Sequence, residues 1–138
     1  MDRVNYEKLK KSIFHLKRQY ENFLSLNQRN IPSLDKEAIK ESVIQRFAIC
    51  HDTLWKHLKK YLTEKEKLVD LPNSPNGVFR KFYEVKGIDK SLLERLLEYN
   101  QLRVDISHDY SEAKVKNSLK QMEWFINDVE EIYKIISL

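Results

Sequence analysis

From Val115 to Ile136, apolar residues fall at Val115, Leu119, Met122, Ile126, Val129, Tyr133 and Ile136, alternating steps of four and three without a break. That spacing returns a side chain to one face of an α-helix at every turn, whereas a strand would scatter the same residues over both faces. A helix with such a seam has to bury it, and other helices of similar length are its natural partners. Its start is also written in the residues. Ser111 is a good N-cap, and Glu112 places an acid in the first turn, where the helix dipole favours it.

The rest of the chain repeats the pattern. Tyr6, Leu9, Ile13, Leu16, Tyr20 and Phe23 predict a first helix from about Asn5 to Leu26, ended by the Asn27–Pro32 stretch. A long second helix is expected from about Leu34 to Glu64, capped by Ser33 or Asp35. Its stripe is Ile39, Val43, Phe47, Cys50, Leu54, Leu58 and Tyr61, widened by Ile44, Ala48, Trp55 and Leu62 into a second apolar face. Two apolar faces require more than one neighbour. Cys50 lies on the stripe as a small core residue, while His51 and His57 are expected on the surface or flank. Lys65–Asn73 reads as a charged linker. Ser74-Pro75 then opens a short helix through Val78, Phe79, Phe82 and Tyr83, which Gly87 stops. Asp89 caps a fourth helix carrying Leu92, Leu93, Leu96 and Leu97.

These elements predict an all-α fold: an antiparallel, up-and-down four-helix bundle with one additional short helix, one domain over residues 1–138. With only two glycines and three prolines, the chain lacks the turn residues that an all-β fold needs. Phe125, Ile132, Trp124 and Trp55 exceed what one internal seam requires, so a homodimer is expected to cover some of them.

Composition narrows function less than fold. The formal charge of +4 permits an anionic partner without demanding one, because acids share the same helices. The lone Cys50 cannot form an internal disulfide, and no Cys/His spacing resembles a metal site, so no metal or other cofactor is expected. The first residues hold no apolar core of a signal peptide, and no apolar run reaches membrane-spanning length. A cytoplasmic protein without membrane contact is the resulting expectation.

One segment carries chemistry: Arg103-Val-Asp-Ile-Ser-His108-Asp-Tyr110. Apolar residues at Leu92, Leu96, Tyr99 and Ile106 define a core-facing stripe, and Arg103 takes a place in it that an apolar residue should hold. A charge there is costly unless it is paired or serves an interface. On a regular helix Arg103 and His108 diverge by about 140° and about 7.5 Å of rise. They converge only if the helix loosens near Ser107 or if two protomers meet. A guanidinium and an imidazole brought together suit phosphodiester cleavage: His108 moves the proton, and Arg103 stabilises charge building on phosphorus. Asp105, three residues before His108, is placed to favour the imidazolium. A plainer reading stands beside this one. Arg103 can pair with a Glu across the bundle, His108 can sit at a helix C-terminus, and Tyr110 can pack at a helix entrance.

The Arg103-x4-His108-x-Tyr110 segment resembles the signature of the HEPN family of helical-bundle proteins. Gln45-Arg-Phe-Ala-Ile-Cys-His-Asp-Thr-Leu-Trp-Lys-His-Leu-Lys-Lys-Tyr-Leu62 and Ser74-Pro-Asn-Gly-Val-Phe-Arg-Lys-Phe-Tyr-Glu-Val-Lys-Gly-Ile88 are similar to its nucleotidyltransferase substrate-binding branch. The resemblance implies a homodimer that partners a minimal nucleotidyltransferase encoded nearby. It further implies a metal-independent endoribonuclease toxin with Arg103 and His108 as catalytic residues, Asp105 and Ser107 in support, and RNA as substrate. Adenylylation of Tyr110 by the nucleotidyltransferase would silence it. Val104 follows Arg103, where relatives commonly carry Asn or Asp. The alternative the branch implies is a non-catalytic substrate-binding or docking subunit. Nucleotide transfer by the chain itself is not expected, since it lacks a Gly-rich phosphate loop.

Overall fold

The computed structural model describes residues 5–108 and 111–138. Among these it places five α-helices and no strand: α1 (Glu7–Leu24), α2 (Ser33–Glu64), α3 (Pro75–Lys86), α4 (Lys90–His108) and α5 (Glu112–Ile136), with one turn of 3-10 helix (Leu26–Gln28) after α1. The all-α bundle expected from the periodicity is the fold observed. No helix among the described residues is long and apolar enough to cross a membrane.

Local chemistry sets most boundaries where the residues place them. The Ser74 hydroxyl accepts the Gly77 amide at 3.3 Å, Pro75 opens α3, and Gly87 closes it at φ 64°, a left-handed angle that glycine adopts without strain. A Cβ at Gly77 would stand 2.5 Å from that of Pro72, so the α3 entrance fits only glycine. Ser111 caps α5 by accepting from the Lys114 amide. The start of α2 differs from expectation. Pro32 occupies the cap position with no side-chain hydrogen bond, and its carbonyl accepts from the Asp35 and Lys36 amides. Ser33 is already helical, because the fixed φ of Pro32 and its carbonyl start the turn without a hydroxyl.

Helix α2 packs against all four other helices, which its two apolar faces require. Phe47 and Phe125 meet edge to face at 4.8 Å, and Tyr99 packs on Phe125 at 5.1 Å, so α2, α4 and α5 share one aromatic centre. Phe125 and Ile132 are fully buried within the chain, correcting the expectation that they form surplus surface for a dimer. Both lie where α5 turns toward its neighbours inside the bundle. Trp124 does remain 57% exposed, with the Arg95 guanidinium over its ring. Cys50 is fully buried, and burial pushes its thiol up to about 12. His51 and His57 are also buried, against expectation. His57 donates from Nδ1 to the Thr53 carbonyl at 2.9 Å, which satisfies it inside the helix pair, and burial lowers its pKa.

A polar lock fixes α4 on α5. Asp128, itself buried, accepts two hydrogen bonds from Arg95 at 2.8 and 3.0 Å and a third from the buried Tyr99 hydroxyl at 2.5 Å. Burial, then the bond to Asp128, raises the Tyr99 pKa. Removing the carboxylate would strand a buried hydroxyl and release a charged partner. Asp128→Ala is therefore expected to lower unfolding free energy by about 2–4 kcal/mol in urea titrations. A loss below about 1 kcal/mol would show that the lock is not needed.

Candidate functional site

Helix α4 runs from Lys90 as regular α-helix to His108, its last residue, so it does not loosen near Ser107. The Ser107 hydroxyl donates to the Val104 carbonyl at 2.7 Å, one turn back. That bond supplements the helix ladder and leaves the backbone helical. The geometry of an unbroken helix then applies, and Arg103 and His108 point about 140° apart with about 7.5 Å of rise between them. No hydrogen bond joins the two among the described residues.

Arg103 has another partner. Its guanidinium reaches across the bundle to α2, donating from Nε to Asp52 Oδ1 at 3.3 Å and from Nη2 to Oδ2 at 3.2 Å. This parallel two-bond contact suits the planar fork of an arginine. The plain reading of Arg103, a pair with an acid across the bundle, is the arrangement found, with Asp52 in place of a Glu. Arg103 is half-buried, and the pair stands at the bundle's flank rather than in its apolar centre.

Asp52 has a second neighbour in His51. The imidazole Nδ1 lies 3.5 Å from Asp52 Oδ1, at the outer limit of a hydrogen bond, while the ring packs against Phe47 and Phe79. His51 Nε2 is buried without a hydrogen-bond partner among the described residues. Hydrogen bonding from His51 and from Arg103 holds the Asp52 carboxyl down at about 2, against burial, which acts to raise it. Of the two, the guanidinium supplies the better geometry. The result is a short relay, His51 to Asp52 to Arg103, linking the α2 core face to α4.

The other expected site residues are placed as follows. His108 is exposed at the end of α4, where the helix dipole favours a cation. Asp105 accepts from the Gln101 amide at 2.9 Å, one turn upstream, and no bond ties it to His108 among the described residues. Tyr110, the expected modification site, lies outside the described residues. Asp52 was not singled out from the residues, although a signal existed: an arginine in an apolar slot demands an acid on the facing helix, and Asp52 flanks the α2 stripe.

Chemically, the Arg103 fork uses two of its five N–H groups on Asp52. An anion approaching this point meets a guanidinium already engaged by a carboxylate, and no hydrogen bond brings His108 to it among the described residues. The arrangement holds two helices together and leaves N–H groups that can grip a further acceptor.

The model of a family described as nucleotidyltransferase substrate binding protein like matches residues 4–137. No curated protein matches the chain. A solved crystal structure from Thermus thermophilus is similar in fold, with a TM-score of 0.76 and 24% identity over 93% of this chain and 98% of that one.

The Asp52 carboxyl has a usual value of 3.8 and stands at about 2 in the folded chain. A depressed folded pKa stabilises above the unfolded value and loses that contribution as pH falls through the folded one. In denaturant titrations, wild type should exceed Asp52→Asn by a constant margin from about pH 7 to about pH 4, and the margin should close toward about pH 2. A margin unchanged down to about pH 2 would mean that Asp52 carries no such interaction.

Proposed function

The chain belongs to the family described as nucleotidyltransferase substrate binding protein like, and on that premise we propose that it is a non-catalytic docking subunit of a nucleotidyltransferase. The observation that carries this reading is the Asp52–Arg103 pair. Arg103 is spent on a bundle contact, and His108 stands a turn and a half beyond it on another side of the helix. A single copy thus offers a rigid scaffold instead of a reacting pair.

The end of the bundle where α1 stops and α2 and α5 begin supports docking. Tyr20, Phe23, Leu24, Val115 and Leu119 line a groove of about 900 Å³ there. Leu24 is 59% exposed, and nearby at the start of α2 Leu34 is 83% exposed. Apolar side chains left open among Lys36, Lys40, Glu37, Glu41 and Glu112 suit a protein partner with an apolar centre and a polar rim of mixed charge.

A second reading has its own support. Arg103 keeps three N–H groups beyond those given to Asp52, and His108 is exposed, so a second copy of the chain can bring its His108 to this guanidinium. In that homodimer, the pair would act as a metal-independent endoribonuclease of HEPN type, with Asp105 and Ser107 at its edge. Adenylylation of Tyr110 would then silence it, because an added phosphate puts a bulky anion two residues from His108.

Co-expression with a minimal nucleotidyltransferase separates the two. The docking reading expects the complex to survive Arg103→Ala and His108→Ala and to weaken on the order of tenfold or more in Leu24→Asp, as an apolar contact centre would. It also expects the chain expressed alone to leave cellular RNA intact. RNA breakdown that disappears in His108→Ala would reject docking as the sole role and establish the nuclease.

A further inference from the structure

The Asp52–Arg103 contact has a third member whose placement packing does not explain. His51 is 1% exposed on the core side of α2. Its ring packs against Phe47 at 6.0 Å and meets Phe79 of α3 edge to face at 5.9 Å. An apolar side chain would fill that position with no polar group to satisfy. The imidazole brings two ring nitrogens: Nε2 has no hydrogen-bond partner among the described residues, and Nδ1 has Asp52 Oδ1 at 3.5 Å. A buried nitrogen left unmet costs free energy, so the reason for a histidine here has to lie at Nδ1.

Those surroundings decide where the ring carries its hydrogen. Asp52 is ionised at neutral pH, with its carboxyl held at about 2, and it offers lone pairs alone. A bare Nδ1 would set lone pair against lone pair and leave an Nε2–H buried without an acceptor. The imidazolium would add that same unmet N–H in charged form. Only the neutral ring with its hydrogen on Nδ1 gives Asp52 a donor and leaves no more than a lone pair in the apolar wall. This is the reverse of the tautomer that dominates for histidine free in water.

We infer that His51 is a positioning residue for Arg103, acting as a neutral Nδ1–H donor that holds the Asp52 carboxylate. Oδ1 accepts from both His51 Nδ1 and Arg103 Nε, so the imidazole fixes the rotation of the carboxyl plane that the guanidinium fork has to match. Asp52 is half-exposed, and such a carboxylate ordinarily samples several rotamers. His51 is clamped between two aromatic rings, and through Oδ1 it passes that rigidity from the core to the flank. The inference deepens the docking reading and rests on it in one respect: it takes the Asp52–Arg103 pair as the fixed contact between α2 and α4.

Long-range nitrogen-15 NMR of the histidine rings in the full chain at neutral pH reads the tautomer without any substitution. His51 should show a protonated Nδ1 and a bare Nε2. A hydrogen on Nε2 alone, or on both nitrogens, would overturn the assignment. Three variants then read the positioning. His51→Asn places an amide N–H near the Nδ1 site and should keep the Arg103 Nε–H signal of wild type. His51→Gln reaches toward the Nε2 site instead, and His51→Phe fills the pocket with no donor. Both should speed exchange of that signal with water by about fivefold, the factor to which one ordinary hydrogen bond corresponds. A histidine that only fills space predicts His51→Phe matching wild type, and that result would overturn the positioning role. Circular dichroism confirms that each variant is folded. Co-purification of the wild-type chain with the nucleotidyltransferase keeps this inference distinct from the docking reading. A complex that forms while His51 carries the other tautomer sinks the positioning role alone; no complex alongside the expected tautomer sinks docking alone.

Discussion

Helix α2 has to bury apolar side chains on more than one side, and the other four helices are arranged to let it do so. Phe47 faces Phe125, Leu54 and Leu58 fill the interior, and Tyr61 meets Phe82 on α3. At 32 residues it is too long for a single partner to cover. The same helix then supplies polar groups at its flanks, where the apolar stripe gives way to solvent. Asp52 occupies such a border. The candidate site follows from this constraint, because only the margins of a buried helix can carry charge and still be reached from outside.

The Asp52–Arg103 contact gives the α4 signature its physical meaning. An arginine set in an apolar stripe would be unstable without a carboxylate opposite, and Asp52 provides one in the two-bond geometry that guanidinium prefers. The pair is partly exposed, so solvent screens it, and its value is better described as orientation than as stability. It fixes which side of α4 faces α2, and so where His108 projects. The Asp128 lock does the same for α5 with a more buried carboxylate.

Much of the fold was legible in the residues because it rests on local rules. The seam from Val115 to Ile136, the Ser74-Pro75 opening and the Gly87 stop act within a few positions, and each reappears where the spacing puts it. Pairings between distant segments were less legible. His51 and His57 read as surface residues because a histidine beside a stripe gives no sign of which neighbour covers it; Phe79 and Tyr6 do so from elsewhere in the chain. Phe125 and Ile132 read as surplus because a helix buried on several sides looks, along its own sequence, like one seeking a second chain. Arg103 was legible as an anomaly, but its partner lies 51 positions away.

The account turns on whether Arg103 is held by Asp52 in the isolated chain. Nitrogen-15 NMR of arginine side chains reads this directly, through the Arg103 Nε–H signal. We predict a single resolved resonance, slow to exchange with water, that collapses into the free-arginine envelope in Asp52→Asn. A wild-type Arg103 signal already indistinguishable from those of the exposed arginines would contradict the account.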